Sequence, residues 1–206
     1  MGKTHRFWDW IAKRYARQPV ADEESYRRKL EITRAYLRPG MEVLEVGCGT
    51  GTTALIHAPF VKHIRAVDIS ARMLEIARAK ATEQGINNVT FEQADIDDLD
   101  AVDGAYDAVM AHSILHLLEE RDAAIATIHR LLKPGGLFIS STACLGDRLR
   151  LLRPLLQISC ALGLLPKVEF FTVEALTSSI ARAGFRIDHQ WQPAEDKAVF
   201  IVAVKT

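Results

Sequence analysis

The run Met41-Glu-Val-Leu-Glu-Val46 ends at three closely spaced glycines, Gly47, Gly49 and Gly51, and gives way to a helical pattern from Thr52. A strand this apolar has no face to offer to water, so it reads as buried between neighbours in a parallel sheet. The rest of the chain supplies those neighbours. Ile64–Asp68, Asn88–Glu92, Tyr106–Ala111 and Leu137–Ser141 read as strands, and helices over Thr52–Phe60, Ala71–Gln84 and Arg121–Leu132 alternate with them. Ser70 is placed to cap the second of these helices and Gly85 to close it. Strands separated by helices make right-handed crossovers and a sheet covered on both faces. The tail differs: Phe185–Trp191, a short loop and Ala198–Val204 permit only antiparallel pairing.

The expectation is therefore one α/β domain over 1–206: a doubly wound, seven-stranded, mostly parallel sheet with an antiparallel C-terminal strand. Two parts lie outside it. Residues 1–40 form an N-terminal helical cap, with Phe7, Trp8, Ile11 and Tyr15 on one stripe and Tyr26, Leu30, Thr33 and Leu37 on a second. Residues 145–170, too long and apolar for an open connection, form a helical lid insertion.

Lys and Arg number 26 against 26 Asp and Glu, a balance that excludes binding dominated by nucleic-acid phosphates. Cys48, Cys144 and Cys160 lie far apart, without metal-ligand spacing, and suit a reducing compartment; the expected location is cytoplasmic. Met1–Trp10 lacks the apolar core of a signal peptide, and Leu155–Leu165 is too short to span a bilayer.

Glycines belong where backbone turns sharply or approaches a ligand. The spacing here is Gly-x-Gly-x-Gly, with Thr52 where a dinucleotide fingerprint has its third glycine, so a pyrophosphate cradle is not the natural reading. Glu45 sets a carboxylate under the loop, which suits a cationic group. Asp68, ending the second strand, is placed for two ribose hydroxyls, and Asp95 for an adenine amino group. Residues 85–107 carry seven acids and no base, so this rim reads as negative.

Glu45-Val-Gly-Cys-Gly-Thr-Gly51, Ala66-Val-Asp68, Gln93-Ala-Asp95, Tyr106-Asp-Ala-Val-Met-Ala111 and Leu132-Lys-Pro-Gly-Gly136 occur in order and in spacing. This series resembles the motifs of class I S-adenosylmethionine-dependent methyltransferases, whose Rossmann-like fold also ends in a reversed strand. The resemblance implies S-adenosylmethionine as cofactor. Gly47, Gly49 and Gly51 would let the backbone approach its amino-acid part, with Cys48 an inert position between them and Glu45 beneath the ammonium. Asp68 would bind the ribose, Ile69 and Met73 the adenine face, Asp95 the adenine amino group and Ile96 the ring. Ala111 and His112 would line the sulfonium end, and Tyr15 would close over the methionine. The base-methylating run of Asn/Asp-Pro-Pro-aromatic is replaced by Ala111-His-Ser-Ile114, which excludes nucleobase amino groups as acceptors.

His112 and His116 are four apart, yet no third ligand accompanies them, so no metal is expected. His112 is the candidate general base for an acceptor; a pocket wall is the alternative. The lid and the basic N-terminal helices, with ten Lys/Arg against five Asp/Glu over 1–40, point to an apolar small-molecule acceptor. A lid that only packs on Phe7, Trp8 and Trp10, and contact with an anionic membrane surface, are the other readings. A nicotinamide-dependent oxidoreductase and a non-catalytic cofactor-binding module are the functional rivals. Oligomeric state is left open.

Overall fold

A computed structural model describes residues 4–144, 146 and 168–206. The lid expected over 145–170 therefore lies outside the described residues, except at Gly146 and 168–170. Two helices, α1 (Thr4–Arg17) and α2 (Glu23–Tyr36), precede β1 (Glu42–Val46). Then come α3 (Thr52–His57), β2 (His63–Asp68), α4 (Ala71–Gln84), β3 (Val89–Gln93), β4 (Tyr106–His112), α5 (Arg121–Leu131) and β5 (Leu132–Thr142). Beyond the insertion follow α6 (Val173–Arg182), β6 (Phe185–Trp191) and β7 (Val199–Lys205).

The seven strands run in the order β3-β2-β1-β4-β5-β7-β6. β7 pairs antiparallel with both β5 and β6, so it alone is reversed and β6 returns to the common direction. The sequence places the hairpin at an edge; the structure adds that its second arm lies inside. Composition explains the choice. Val199–Val202 are fully buried, whereas β6 alternates polar and apolar and can face water.

Each sheet face has its own core. Ala124, Ile125, Ile128 and Leu131 of α5 pack with Leu176 and Ile180 of α6 on one face, around Phe138. Ala54 and Leu55 of α3, Leu74 and Ala77 of α4, and Leu37 after α2 pack on the other, around Met110 and Phe200. Ser70 caps α4 as its sequence promises, accepting from the Met73 N–H at 3.1 Å, and Gly85 ends it in the left-handed conformation.

The N-terminal cap is held from both ends. On α1, Asp9 accepts from Ser70 Oγ at 2.6 Å and from the Arg72 N–H at 3.2 Å. Its opposite side leaves Trp10 79% exposed. On α2, Arg28 and Arg34 lie over the rings of Trp191 and Phe60, at 4.6 and 4.0 Å from their centroids. Tyr36 donates to Asp188 at 2.7 Å. No described helix is long and apolar enough to cross a membrane.

Candidate functional site

Chain order reverses between β1 and β4, and in an open α/β sheet that reversal leaves a crevice at the carboxyl ends of the strands. The glycine loop after β1 and the segment after β4 meet there. All three glycines have positive φ, at 67°, 52° and 72°. Their reasons differ. A Cβ on Gly47 would stand 2.9 Å from the Ile114 side chain, and one on Gly51 would stand 2.8 Å from Ala77 and Phe91. Gly49 has nothing within 4 Å of that position and borders open space. Packing thus demands two of the glycines, and only the middle one opens toward a ligand. Lys80 steadies the loop by donating to Thr50 Oγ1 and Thr52 Oγ1 at 3.0 and 2.9 Å.

Asp68 is tied to the loop. Its carboxylate accepts from the Gly49 N–H at 2.8 Å and from the Ser70 N–H at 2.9 Å, which leaves lone pairs on both oxygens for further donors. Burial holds its pKa above the ordinary carboxylate value, against those two hydrogen bonds. Glu45 lies deeper. It is 2% exposed, and Oε2 is enclosed without a partner. Burial, then the Asp68 charge, pushes its pKa up to about 8, so at neutral pH it is mostly a neutral acid. The Ala54 N–H serves the carboxyl, so the lack is at Oε2 alone, and an enclosed acceptor beside a second carboxylate suits a cation. Cys48, between the glycines, is buried and its thiol is pushed well above its usual pKa, so it stays protonated and inert.

The other expected positions fall around this centre. Ile69 is half-buried and its carbonyl accepts from Gln93 Nε2 at 3.0 Å. Met73 is buried outside both sheet-face cores. Asp95 opens a short 3₁₀ turn, Ile96–Asp98, in which Ile96 is buried. Tyr15 is 46% exposed, and its hydroxyl pKa is raised by partial burial and then by the Asp68 charge, so its hydroxyl faces Asp68. Ala111 is fully buried in the α5–α6 core, and His112, which ends β4, is half-buried.

The acidic rim is weaker than the sequence suggests. Glu92 is bound bidentately by Arg65, at 2.9 and 3.0 Å, while Arg130 pairs with Asp103 and Lys133 with Asp107. Asp103 and Asp107 also sit where β4 begins, at the far edge of the sheet, because 106–112 climbs from there to the crevice. An open cleft of about 300 Å³ at that far edge, lined by Tyr36, Asp107 and Lys133 among others, holds none of the expected site residues.

At the end of β4, His112 stacks on Phe200, ring centroids 6.4 Å apart. Its Nε2 is enclosed without a partner, and burial, then His57 and Lys29, push its pKa down to about 3. It is a neutral imidazole. Ser113, which follows, has φ 56°, a left-handed conformation that no other described non-glycine residue adopts, and its N–H donates to the Ser141 carbonyl at 2.7 Å. His116 falls in a separate 3₁₀ turn, Leu115–Leu117, so the two histidines share no helical face. No metal-ligand cluster occurs among the described residues.

Two neighbours of His112 and one of Asp68 escape a reading of the sequence. Lys29 of α2 reaches across to donate to Ser141 Oγ at 2.9 Å. His57 of α3 is 1% exposed with neither ring nitrogen partnered, and burial lowers its pKa to about 4. Asp9, bound to Ser70 Oγ, is the neighbour of Asp68. The only sequence signal for Lys29 was a cation on the otherwise inward stripe of α2 that includes Thr33.

Comparison with known proteins accords with this geometry. Residues 37–184 match the family described as methyltransferase domain. An uncharacterized methyltransferase of Bacillus subtilis, YcgJ, is 33% identical over 110 residues, covering 53% of this chain and 44% of that protein. Its crystal structure superposes with a TM-score of 0.73 at 19% identity, over 87% of this chain and 98% of that one. The ubiquinone/menaquinone biosynthesis C-methyltransferase UbiE of Shewanella baltica is 35% identical over 136 residues, covering 64% of this chain and 47% of that protein. The chain thus spans about half the length of the curated relatives it matches. The [4+2]-cyclase SpnF shares the fold, with a TM-score of 0.70 at 23% identity over 86% of this chain and 80% of that one. With its glycine loop, paired carboxylates and one reversed strand, the chain belongs to the class I S-adenosylmethionine-dependent methyltransferases.

Proposed function

We propose that the chain transfers a methyl group from S-adenosylmethionine to an apolar small-molecule acceptor. The observation that carries the cofactor half is the enclosed Glu45 carboxyl, unpartnered at Oε2 and within reach of the Asp68 charge, at the end of the strand that leads into the glycine loop. That arrangement fits a ligand with an ammonium at one end and a ribose diol at the other. Gly49 and Glu45 would take the amino-acid part, Asp68 the ribose hydroxyls, and Ile69, Asp95 and Ile96 the adenine.

Bound there, S-adenosylmethionine supplies a methyl group on a sulfonium, open to in-line displacement. The chain's own contribution is positioning and exclusion of water, which suffices for most of the acceleration in such a displacement. His112 stands at the end of β4 with a free lone pair, in the form a base needs. Burial first, and then His57 and Lys29, disfavour its conjugate acid, so it is a weak base that suits an acceptor whose proton is already acidic. A relative named for ubiquinone and menaquinone biosynthesis supports a small acceptor rather than a macromolecule.

A second reading is cofactor binding without methyl transfer; a protein titled as a [4+2]-cyclase shares the fold. Production of S-adenosylhomocysteine from S-adenosylmethionine with an acceptor extract separates the two. The nicotinamide-dependent reading has no support in the family match.

The first test is calorimetric titration of cofactor-stripped protein with S-adenosylhomocysteine and, in parallel, NAD. Micromolar binding of S-adenosylhomocysteine alone is expected; binding of NAD alone would overturn the reading.

A further inference from the structure

The carboxyl ends of β4 and β5 carry a group of polar side chains that the cofactor does not use. Lys29 enters from α2, donating to Ser141 Oγ at 2.9 Å. Ser141 is the ladder partner of His112, so the ammonium sits beside the residue that borders the methyl-transfer position. Around it, His112 Nε2, both nitrogens of His57 and Oγ1 of Thr33 are enclosed with no hydrogen-bond partner. Thr33 and His57 are each 1% exposed.

Lys29 has no carboxylate within ion-pair distance among the described residues, and the nearest acid that acts on it, Asp22, is engaged by Lys197 at 3.6 Å. Burial lowers the Lys29 pKa, and the Asp22 charge offsets that only in part, so the ammonium has lost water without a full counter-charge. Lysines in helices ordinarily turn their amines to solvent. This one is turned inward, to Ser141 Oγ.

From this juxtaposition we infer that the acceptor is an apolar molecule bearing a single ionised oxygen, held by Lys29 and Ser141 beside His112. The inference rests on the methyltransferase reading and names the acceptor class for the same site. One ammonium matches one negative charge. A phosphate dianion would leave a second charge buried without compensation, since the two imidazoles nearby are neutral and both resist protonation. A neutral acceptor would leave Lys29 desolvated and unpaired.

The test titrates octanoate and 1-octanol into protein saturated with S-adenosylhomocysteine. Octanoate should bind about tenfold or more tighter than octanol, the scale of one charge-assisted hydrogen bond in a partly dry site. In Lys29→Met, which keeps the length of the stem, that preference should vanish while affinity for S-adenosylhomocysteine stays within about twofold, a bound well below one lost hydrogen bond. Lys29→Arg should restore part of the preference. Octanoate binding no tighter than octanol, or a preference that survives in Lys29→Met, would overturn the inference and leave the cofactor reading intact. Failure of the wild type to bind S-adenosylhomocysteine at all would overturn the methyltransferase reading, and this inference with it.

Discussion

Glu45 is the residue whose state changes most between an empty and a filled site. In the unfolded chain its carboxyl titrates near 4.5, and in the fold near 8. Between those values the folded protein holds a proton that the unfolded chain releases, so stability falls as pH rises. The contribution of neutral Glu45 is present in full below 4.5 and is lost as pH rises through 8. Glu45→Gln should therefore flatten the dependence of Tm on pH across that window, removing a slope of up to about 1.4 kcal/mol per pH unit. An ammonium seated over Glu45 ionises it, so cofactor binding at pH 7 should release up to about one proton. Titrations in buffers of differing ionisation enthalpy read that release directly. Asp68→Ala should weaken S-adenosylhomocysteine binding by roughly 2–3 kcal/mol, the scale of lost charge-assisted hydrogen bonds. Unchanged affinity in a folded variant would remove Asp68 from the ribose. The places of Glu45, Asp68 and the three glycines were legible in the sequence because they follow from position along two neighbouring strands and one turn. Lys29 was not: its partner Ser141 is 112 residues away, and nothing local aims a lysine amine inward.

Among the elements, α1 is held least by apolar packing and most by one carboxylate. Asp9 accepts from Ser70 Oγ and from the Arg72 N–H, lengthening the cap of α4 by one more acceptor. Asp9→Ala should loosen α1 by about 1 kcal/mol, the usual scale of a lost cap. Hydrogen exchange should show faster exchange in Thr4–Arg17 with little change in β1 or β4. The amphipathic stripe announced α1 as a helix, but the single acid that docks it stands 61 residues from its partner. The rim over 85–107 shows the reverse limit. Its charge was plain in the sequence, yet Arg65, Arg130 and Lys133 answer three of the seven acids from other elements. Strand ends were also blurred: β5 starts at Leu132 rather than Leu137, through an irregular register opposite Tyr106–Ala108 that the Lys133-Pro-Gly-Gly136 turn residues conceal.

At the scale of the whole molecule, one sheet separates two cores, and Phe138 and Phe200 mark them from opposite faces. Both are fully buried. Because the strands are shared, neither core can be lost alone. Phe138→Ala and Phe200→Ala should each destabilise by about 3–5 kcal/mol, and each should leave one transition, coincident by circular dichroism and tryptophan fluorescence. Two separated transitions would show that the faces unfold independently. Alternation of strands and helices made this architecture readable; the place of β7 inside the hairpin was not, since either arm satisfies antiparallel pairing. That place has a consequence for how the protein is made. As a nascent chain emerges from the ribosome, β5 exists long before Val199–Lys205, and its edge groups over Leu137–Thr142 wait without their eventual partner. An apolar, unpaired edge is a template for association with other chains. Synthesis of this fold therefore passes through a stage whose safety depends on how quickly the strand at 199–205 follows, or on a chaperone that covers the gap until it does.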